Sequence, residues 1–451
     1  MTEPRRWTRQ QAIRHAVMRV VSDGSREGIA PLARVREDEW RGLLRWLDVS
    51  GLALYFFDRL REMGQNTLLP LDVWRRLEGN LADNTVRTQA MIAEAAAIRD
   101  AFDEAGLSFA LLKGISLTPD SVARPELRSQ LDIDFLVKPG EIEAARRILE
   151  DRGYYLHAVT ARSWEFKTYA IPSGSLMNLY RNVPWRCVEL HEELEGAGSG
   201  LRLARRERRV VGGVEMPVLC AADIFLGQGL HLFKHVSSAH YRAAHLIEYH
   251  RHVAARRGDE RFWGEVEERA RETEAAAWAL GVVTLLDELM LGKCAPESFA
   301  RWTVNRLSGP VRLWVERYAW RAALTSIPGN KLYLLLARQL EEEGYETRWP
   351  VRGAGPARNE ELTSARGPLV PRQLPRMVVR GQAGESLGTR LSRYRLQVWF
   401  LMLRLRFHVV EGVRFMWESW QWKRSLRNLK RSGFKDYLRG EQRNDNSLTE
   451  A

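Results

Sequence analysis

The sequence predicts an α+β protein in which a small mixed-sheet unit is embedded in a mainly helical chain. Three observations carry this prediction. Apolar residues recur at three- and four-residue spacing over most of the 451 residues. Between residues 107 and 220 that period gives way to short runs of strand formers, "LSFALLKG", "LDIDFLV" and "CVEL". Glycines also stand where the helical period stops.

Residues 1–106 are predicted as an N-terminal helical region. There "EDEWRGLLRWLDVSGLALYFFDRLREM" places Trp40, Leu43, Leu44 and Leu47 on one stripe, and the alanine-rich "NTVRTQAMIAEAAAIRDAFDEAG" ends at Gly106. Residues 107–220 form the α/β core: two strands, a short helix "GEIEAARRILEDRG" between Pro139 and Gly153, and a third strand around Cys187 to Leu190. Residues 221–348 return to helix. Residues 349–390 gather Gly, Pro and Arg without a period, which predicts a linker or mobile loop. Residues 391–451 read as a basic, aromatic C-terminal helix with a polar tail.

The net charge is +12, with 45% hydrophobic and 28% charged residues, which fits a soluble globular protein with a cationic bias. Cys187, Cys220 and Cys294 are too sparse and too widely spaced for a zinc motif or disulfide framework, so a reducing compartment is expected. The N-terminus has no apolar core ahead of a cleavage site, and no run of about 18 apolar residues occurs. A cytoplasmic location follows as the expectation. From Arg390 onward cations far outnumber acids, and Trp399, Phe400, Phe407, Phe415, Trp417, Trp420 and Trp422 share that segment. Gln397, Arg404, His408, Glu411 and Glu418 fall on one helical face. This composition suits an anionic membrane surface, nucleic acid or nucleotide phosphates, although no nucleic-acid module is recognisable. The ordinary expectation is that the helix covers the core while its arginines extend into water.

The most informative stretch is "LLKGISLTPDSVARPELRSQLDIDFLV". Alternate residues of a strand share a face, so Asp132 and Asp134 project together while Leu131, Ile133 and Phe135 turn to the core. Paired carboxylates repel unless a cation lies between them, and Mg²⁺ takes one or two carboxylates and completes its shell with water and phosphate oxygens. Upstream, Gly114 and Ser116 offer backbone N–H groups and a hydroxyl to phosphate, with Lys113 beside them. Arg128 adds forked donors. Glu189, on the third strand, would complete a carboxylate set for two Mg²⁺ ions, and His191 lies on the same side of that strand.

These residues resemble the bacterial nucleotidyltransferase-like proteins of the polymerase-β superfamily, specifically an uncharacterised group carrying "LKG", an arginine, "DIDFLV" and "GY" in that order. The likeness runs from about Trp40 to about Arg251 and takes in "RGYYL", "VELH" and "GLHLFKH". It implies a Mg²⁺-dependent nucleotidyltransferase that moves a nucleoside monophosphate from a nucleoside triphosphate such as ATP to a hydroxyl acceptor. It also implies that Gly114 and Ser116 contact phosphates, that Asp132 and Asp134 bind metal, and that Glu189 is the third carboxylate. Two departures stand out: Ile115 separates a glycine and serine that are usually adjacent, and the third acid is commonly Asp.

Six histidines, His231, His235, His240, His245, His250 and His252, fall in one helical stretch. His231 and His235 share a helical face but lack the intervening Glu of a metalloprotease motif, so His231, His235 and Arg242, together with His191, are taken as substrate-binding candidates. Two other classes fit the same residues: an inactive nucleotide-binding or regulatory module, and a membrane-surface or scaffold protein working through its C-terminal helix.

Overall fold

A computed structural model describes residues 7–24, 28–159, 163–168, 179–183, 186–193, 202–238, 241–272, 275–325, 329–344 and 387–431. Five helices lead the chain: α1 (Arg9–Asp23), α2 (Ile29–Leu32), α3 (Glu37–Ser50), α4 (Ala53–Glu62) and α5 (Leu71–Glu104). α1 opens with a reciprocal cap between Thr8 and Gln11. α5 starts after Pro70, runs through the alanine-rich stretch and stops at Gly106, whose φ of 67° only glycine adopts freely.

The strands are β1 (Phe109–Leu112), β2 (Ile133–Val137), β3 (Tyr155–Val159), β4 (Ser163–Lys167), β5 (Cys187–Glu192), β6 (Glu207–Val211) and β7 (Val214–Val218). They form one mixed sheet in the order β3-β4-β5-β2-β1-β7-β6, with β2–β5 and β1–β7 parallel and the other pairs antiparallel. The predicted mixed-sheet unit is present with four more strands than the apolar runs disclosed. Asp132 sits just before β2 rather than within it, and β5 continues through His191.

The sheet's inner face closes on α5 through Phe102, Phe109 and Phe135. Their rings meet edge to face at 5.2 to 6.1 Å, a preferred aromatic geometry. The short helix α6 (Ile142–Asp151) adds Ile142, Ala145 and Leu149 to the buried set. Helices α7 (Ala221–Val236), α8 (Ala243–Ala255), α9 (Glu260–Arg271), α10 (Ala276–Leu291), α11 (Glu297–Trp302), α12 (Gly309–Trp314), α13 (Trp320–Leu324) and α14 (Tyr333–Glu342) follow. One apolar core runs without a break from α1 through the sheet to α14.

The segment expected as a linker lies, up to residue 386, outside the described residues, as do His240 and the tail beyond residue 431. Residues 387–390 already belong to α15 (Leu387–Arg431). This helix departs from expectation. Its side with His408, Glu411 and Glu418 faces the body, while Trp399, Phe400, Trp417 and Trp420 are exposed. Only Phe415 and Trp422 of its predicted aromatic set are buried. Periodicity separates two faces of a helix but does not say which one packs.

Candidate active site

β1 ends in a turn that no ordinary side chain favours. Lys113 and Gly114 have φ of 49° and 50°, and a Cβ added to Gly114 would lie 2.6 Å from Gln130 Oε1. This turn swings Lys113 back over β2, where its Nζ lies 3.0 Å from Asp134 Oδ1. Ser116, expected to offer its hydroxyl to phosphate, is fully buried and donates to the Lys113 carbonyl at 2.8 Å. The loop that follows is fixed to the helical part: Arg256 reaches Asp120 at 2.8 Å, and Ser121 Oγ donates to Gln228 at 3.1 Å.

The register of the sheet assembles the acids. Asp134 on β2 pairs with Glu189 on β5, and Glu189 pairs with Glu165 on β4, so three carboxylates stand side by side on one face. His191, two residues along β5, places Nε2 2.9 Å from Asp134 Oδ1 and 3.3 Å from Glu189 Oε2. Glu165 and Lys167 were not anticipated. Lys167 is buried and pairs with Glu165 at 2.7 Å, closing the row at its far end. Arg87, reaching from α5, adds its charge near Asp132 and donates to the Leu179 carbonyl at 3.1 Å.

These neighbours divide the carboxylates. Burial works against the Asp134 anion, but the hydrogen bond from His191 and the Lys113 ammonium outweigh it and hold the carboxyl at about 2. Burial, then repulsion from Asp134 and Glu189, pushes Asp132 up to about 7. Asp132 has no hydrogen-bond partner among the described residues. One donor atom each from Asp134, Glu189 and His191 lies within 4.8 Å of the others. Two carboxylates bridged by an imidazole, with the half-exposed Asp132 carboxyl beside them, fit a divalent cation that takes mainly oxygen ligands.

Because folded Asp132 keeps its proton to higher pH than an unfolded aspartate does, stability associated with it is full below about pH 4 and is lost as pH rises through about 7. Asp132→Asn is therefore expected to stabilise the metal-free protein by about 2 kcal/mol at pH 8 and to leave it unchanged near pH 4. Asp134 has the opposite sign in a lower window, losing its contribution as pH falls from about 4 through about 2. Denaturant melts in chelator at pH 8 and pH 4 check the first statement, and melts at pH 4 and pH 2 check the second.

Arg128 lies at the edge of this row, held by a residue the sequence did not flag. Its Nε donates to Glu248 Oε1 at 3.1 Å, and Tyr55 donates to the same oxygen at 3.0 Å. A third contact joins Arg128 Nη1 to Gln130 at 3.4 Å. His231 and His235 on α7 meet His245 on α8 with ring centroids 4.6 to 5.0 Å apart. Burial first, then His235 and Lys113, pushes His231 down to about 2, so this imidazole is neutral and within the field of the Lys113 turn. Arg242 is half-buried, and its Nε is buried without a partner.

Residues 36–291, more than half of the chain, match the model of a family described as uncharacterised nucleotidyltransferase. The chain belongs to that family. No curated protein matches the sequence. The match begins beside α3 and ends with α10, so the family unit includes the acid row, Glu248 and the histidine cluster together. It extends beyond the stretch that the motifs alone suggested, taking in α9 and α10, which pack against α7. Membership supports a nucleotidyltransferase activity acting on a nucleoside triphosphate.

A separate set, His250, Asp287 and Cys294, also brings three donor atoms within 4.8 Å, deep among α8 and α10. There His250 Nδ1 lies 3.1 and 3.0 Å from the two Asp287 oxygens, and burial pushes the Cys294 thiol up. Protons already bridge these groups, so the cluster is a satisfied internal network.

Proposed function

We propose that the protein transfers a nucleoside monophosphate from a nucleoside triphosphate to a hydroxyl acceptor, using a divalent cation, Mg²⁺ by preference. The observation that supports this most is the in-register row Asp134–Glu189 with Asp132 at its entrance and Lys113 folded over it. Asp132, Asp134 and Glu189 would hold the cation, which when bound supplies charge neutralisation for the triphosphate and lowers the pKa of a bound hydroxyl.

The chain's own groups do the rest. Lys113 and Arg128 offset phosphate charge, and the turn at 113 and 114, both at positive φ, brings the backbone up to the nucleotide. The acceptor oxygen attacks the α-phosphorus in line, the bond to the bridging oxygen of the β-phosphate breaks, and pyrophosphate leaves. Glu189 takes the acceptor's proton, and His191, hydrogen-bonded to it, fixes its orientation. His231, His235 and Arg242 are the substrate-holding groups: the neutral His231 imidazole serves as donor or acceptor, and a guanidinium with an unmet N–H suits an anionic portion of the substrate. Three free thiols suit a cytoplasmic location.

Calorimetric titration of each nucleoside triphosphate with and without Mg²⁺, beside the Asp132→Asn, Asp134→Asn double variant, tests this reading. Binding is expected to require both the cation and the carboxylates. Equal binding by wild type and double variant would overturn the assignment of the site. Metal-dependent binding without pyrophosphate release over any acceptor would make the protein a nucleotide-holding module instead.

A further inference from the structure

α15 is mounted with its polar side inward. Glu418 pairs with Arg321, Arg317 Nη1 donates to Ser425 Oγ at 2.5 Å, and Lys331 Nζ donates to the His408 carbonyl at 3.4 Å. Phe415 and Trp422 complete the seating, against Arg338 and Tyr318. The outward side is apolar. From Leu387 to Trp420 an apolar residue recurs every three or four positions, and Leu387, Val398, Leu405, Val413, Met416 and Trp420 are 50% to 75% exposed. Such a stripe is about 50 Å long. It exceeds the apolar patch that a soluble monomer ordinarily leaves in water.

Charge identifies what covers it. Residues 387–431 contain eleven Arg and Lys but two acids, Glu411 and Glu418. Both acids are engaged by cations of the protein itself, Glu411 by Arg414 and Glu418 by Arg321. Exposed Arg395 and Arg406 flank the stripe, and Lys423, Arg424 and Arg427 follow its end. The outward face therefore presents hydrocarbon, indole rings and cations, and no acid.

We propose that this face lies flat on an anionic membrane surface. The apolar stripe enters the headgroup boundary, Trp417 and Trp420 anchor there with their rings 5.6 Å apart, and the arginines meet lipid phosphates. A second copy of the helix is a poorer partner, since pairing would bring cation against cation with no acid to answer it. No helix is long and apolar enough to cross a membrane, which agrees with a helix that lies on the surface. The inference stands apart from the nucleotidyl-transfer reading and survives its failure.

Flotation of the full chain with phosphatidylcholine vesicles and with vesicles containing phosphatidylglycerol provides the test. The wild type is expected to float with the anionic vesicles only, and less so at high salt. Arg395→Ala with Arg406→Ala should weaken association about 25-fold, about five-fold per cation. Leu405→Glu with Met416→Glu should abolish it without altering the melting curve, since both positions are exposed. Failure of the wild type to float, or undiminished flotation of the Glu variant, overturns the proposal. So does a dimer seen by light scattering that the Glu variant dissolves, which would assign the face to a second copy. Vesicle binding that appears only after deletion of residues 345–386 would assign it to the chain itself.

Discussion

Asp134→Asn is expected to reduce pyrophosphate release by about 10³-fold, equivalent to about 4 kcal/mol of transition-state stabilisation, while leaving the fold intact. The carboxylate is the shared partner of Lys113 and His191 and stands in register with Glu189, so three of the site's contacts run through one side chain. Asparagine keeps the volume and one acceptor oxygen but not the charge. The Lys113 ammonium then loses its anion, as would the divalent cation proposed for the site. Asp132 loses the carboxylate that repels it and ionises at lower pH, so metal binding by the variant should depend less on pH near neutrality.

The measurement is release of pyrophosphate from each nucleoside triphosphate over a panel of hydroxyl acceptors, with metal affinity determined in parallel. A variant retaining turnover within ten-fold of wild type would show that the acid row is not the site of transfer. Lys113→Met provides the comparison: it removes the cation proposed to offset phosphate charge but no proposed metal ligand, so nucleotide affinity should fall more than metal affinity.

Part of this site was legible because local pattern and tertiary placement agree. Asp132 and Asp134 alternate with Ile133 and Phe135, which separates the acid-bearing side of β2 from its apolar side before any partner strand is known, although every residue of β2 is buried and Leu131, expected in the core, is exposed. Glu189 and His191 follow from the same two-residue period. Glu165 and Lys167 were hidden because β4 is five residues long and its significance lies in its register with β5, a relation absent from either segment alone. The hairpin of β6 and β7 did leave a signal. Gly212 and Gly213, both at positive φ, stand between "RRVV" and "VEMPV", a glycine pair of the kind that closes a two-residue hairpin. For α15 the period grouped His408, Glu411 and Glu418 on the face that meets the body, but Gln397 of the same predicted face is exposed, and Phe415 and Trp422 join the inward side. Which face met the body was decided by Arg317, Arg321 and Lys331, on elements that sequence cannot place beside it.

Glu248 was the least legible residue, a single acid among histidines on α8, and its removal should have the largest effect on stability. It is 2% exposed and accepts from Arg128 and from Tyr55, which comes from α4, so it joins the leading helices to the loop before β2. Glu248→Ala leaves a guanidinium and a phenol without their shared acceptor in a site largely closed to water. The expected loss is about 3–5 kcal/mol, because the penalty for an unpaired buried charge exceeds the net value of the pair. Replacing both partners, Arg128→Met with Glu248→Leu, removes the charge together with its counterion and should recover most of that loss. The recovered protein distinguishes the two roles of Arg128. If the guanidinium serves the nucleotide, the double variant folds like wild type yet binds triphosphate at least about 10-fold more weakly. If Arg128 only ties helices together, restored folding brings full nucleotide affinity with it, and the phosphate charge must be met by Lys113 and Arg242 alone.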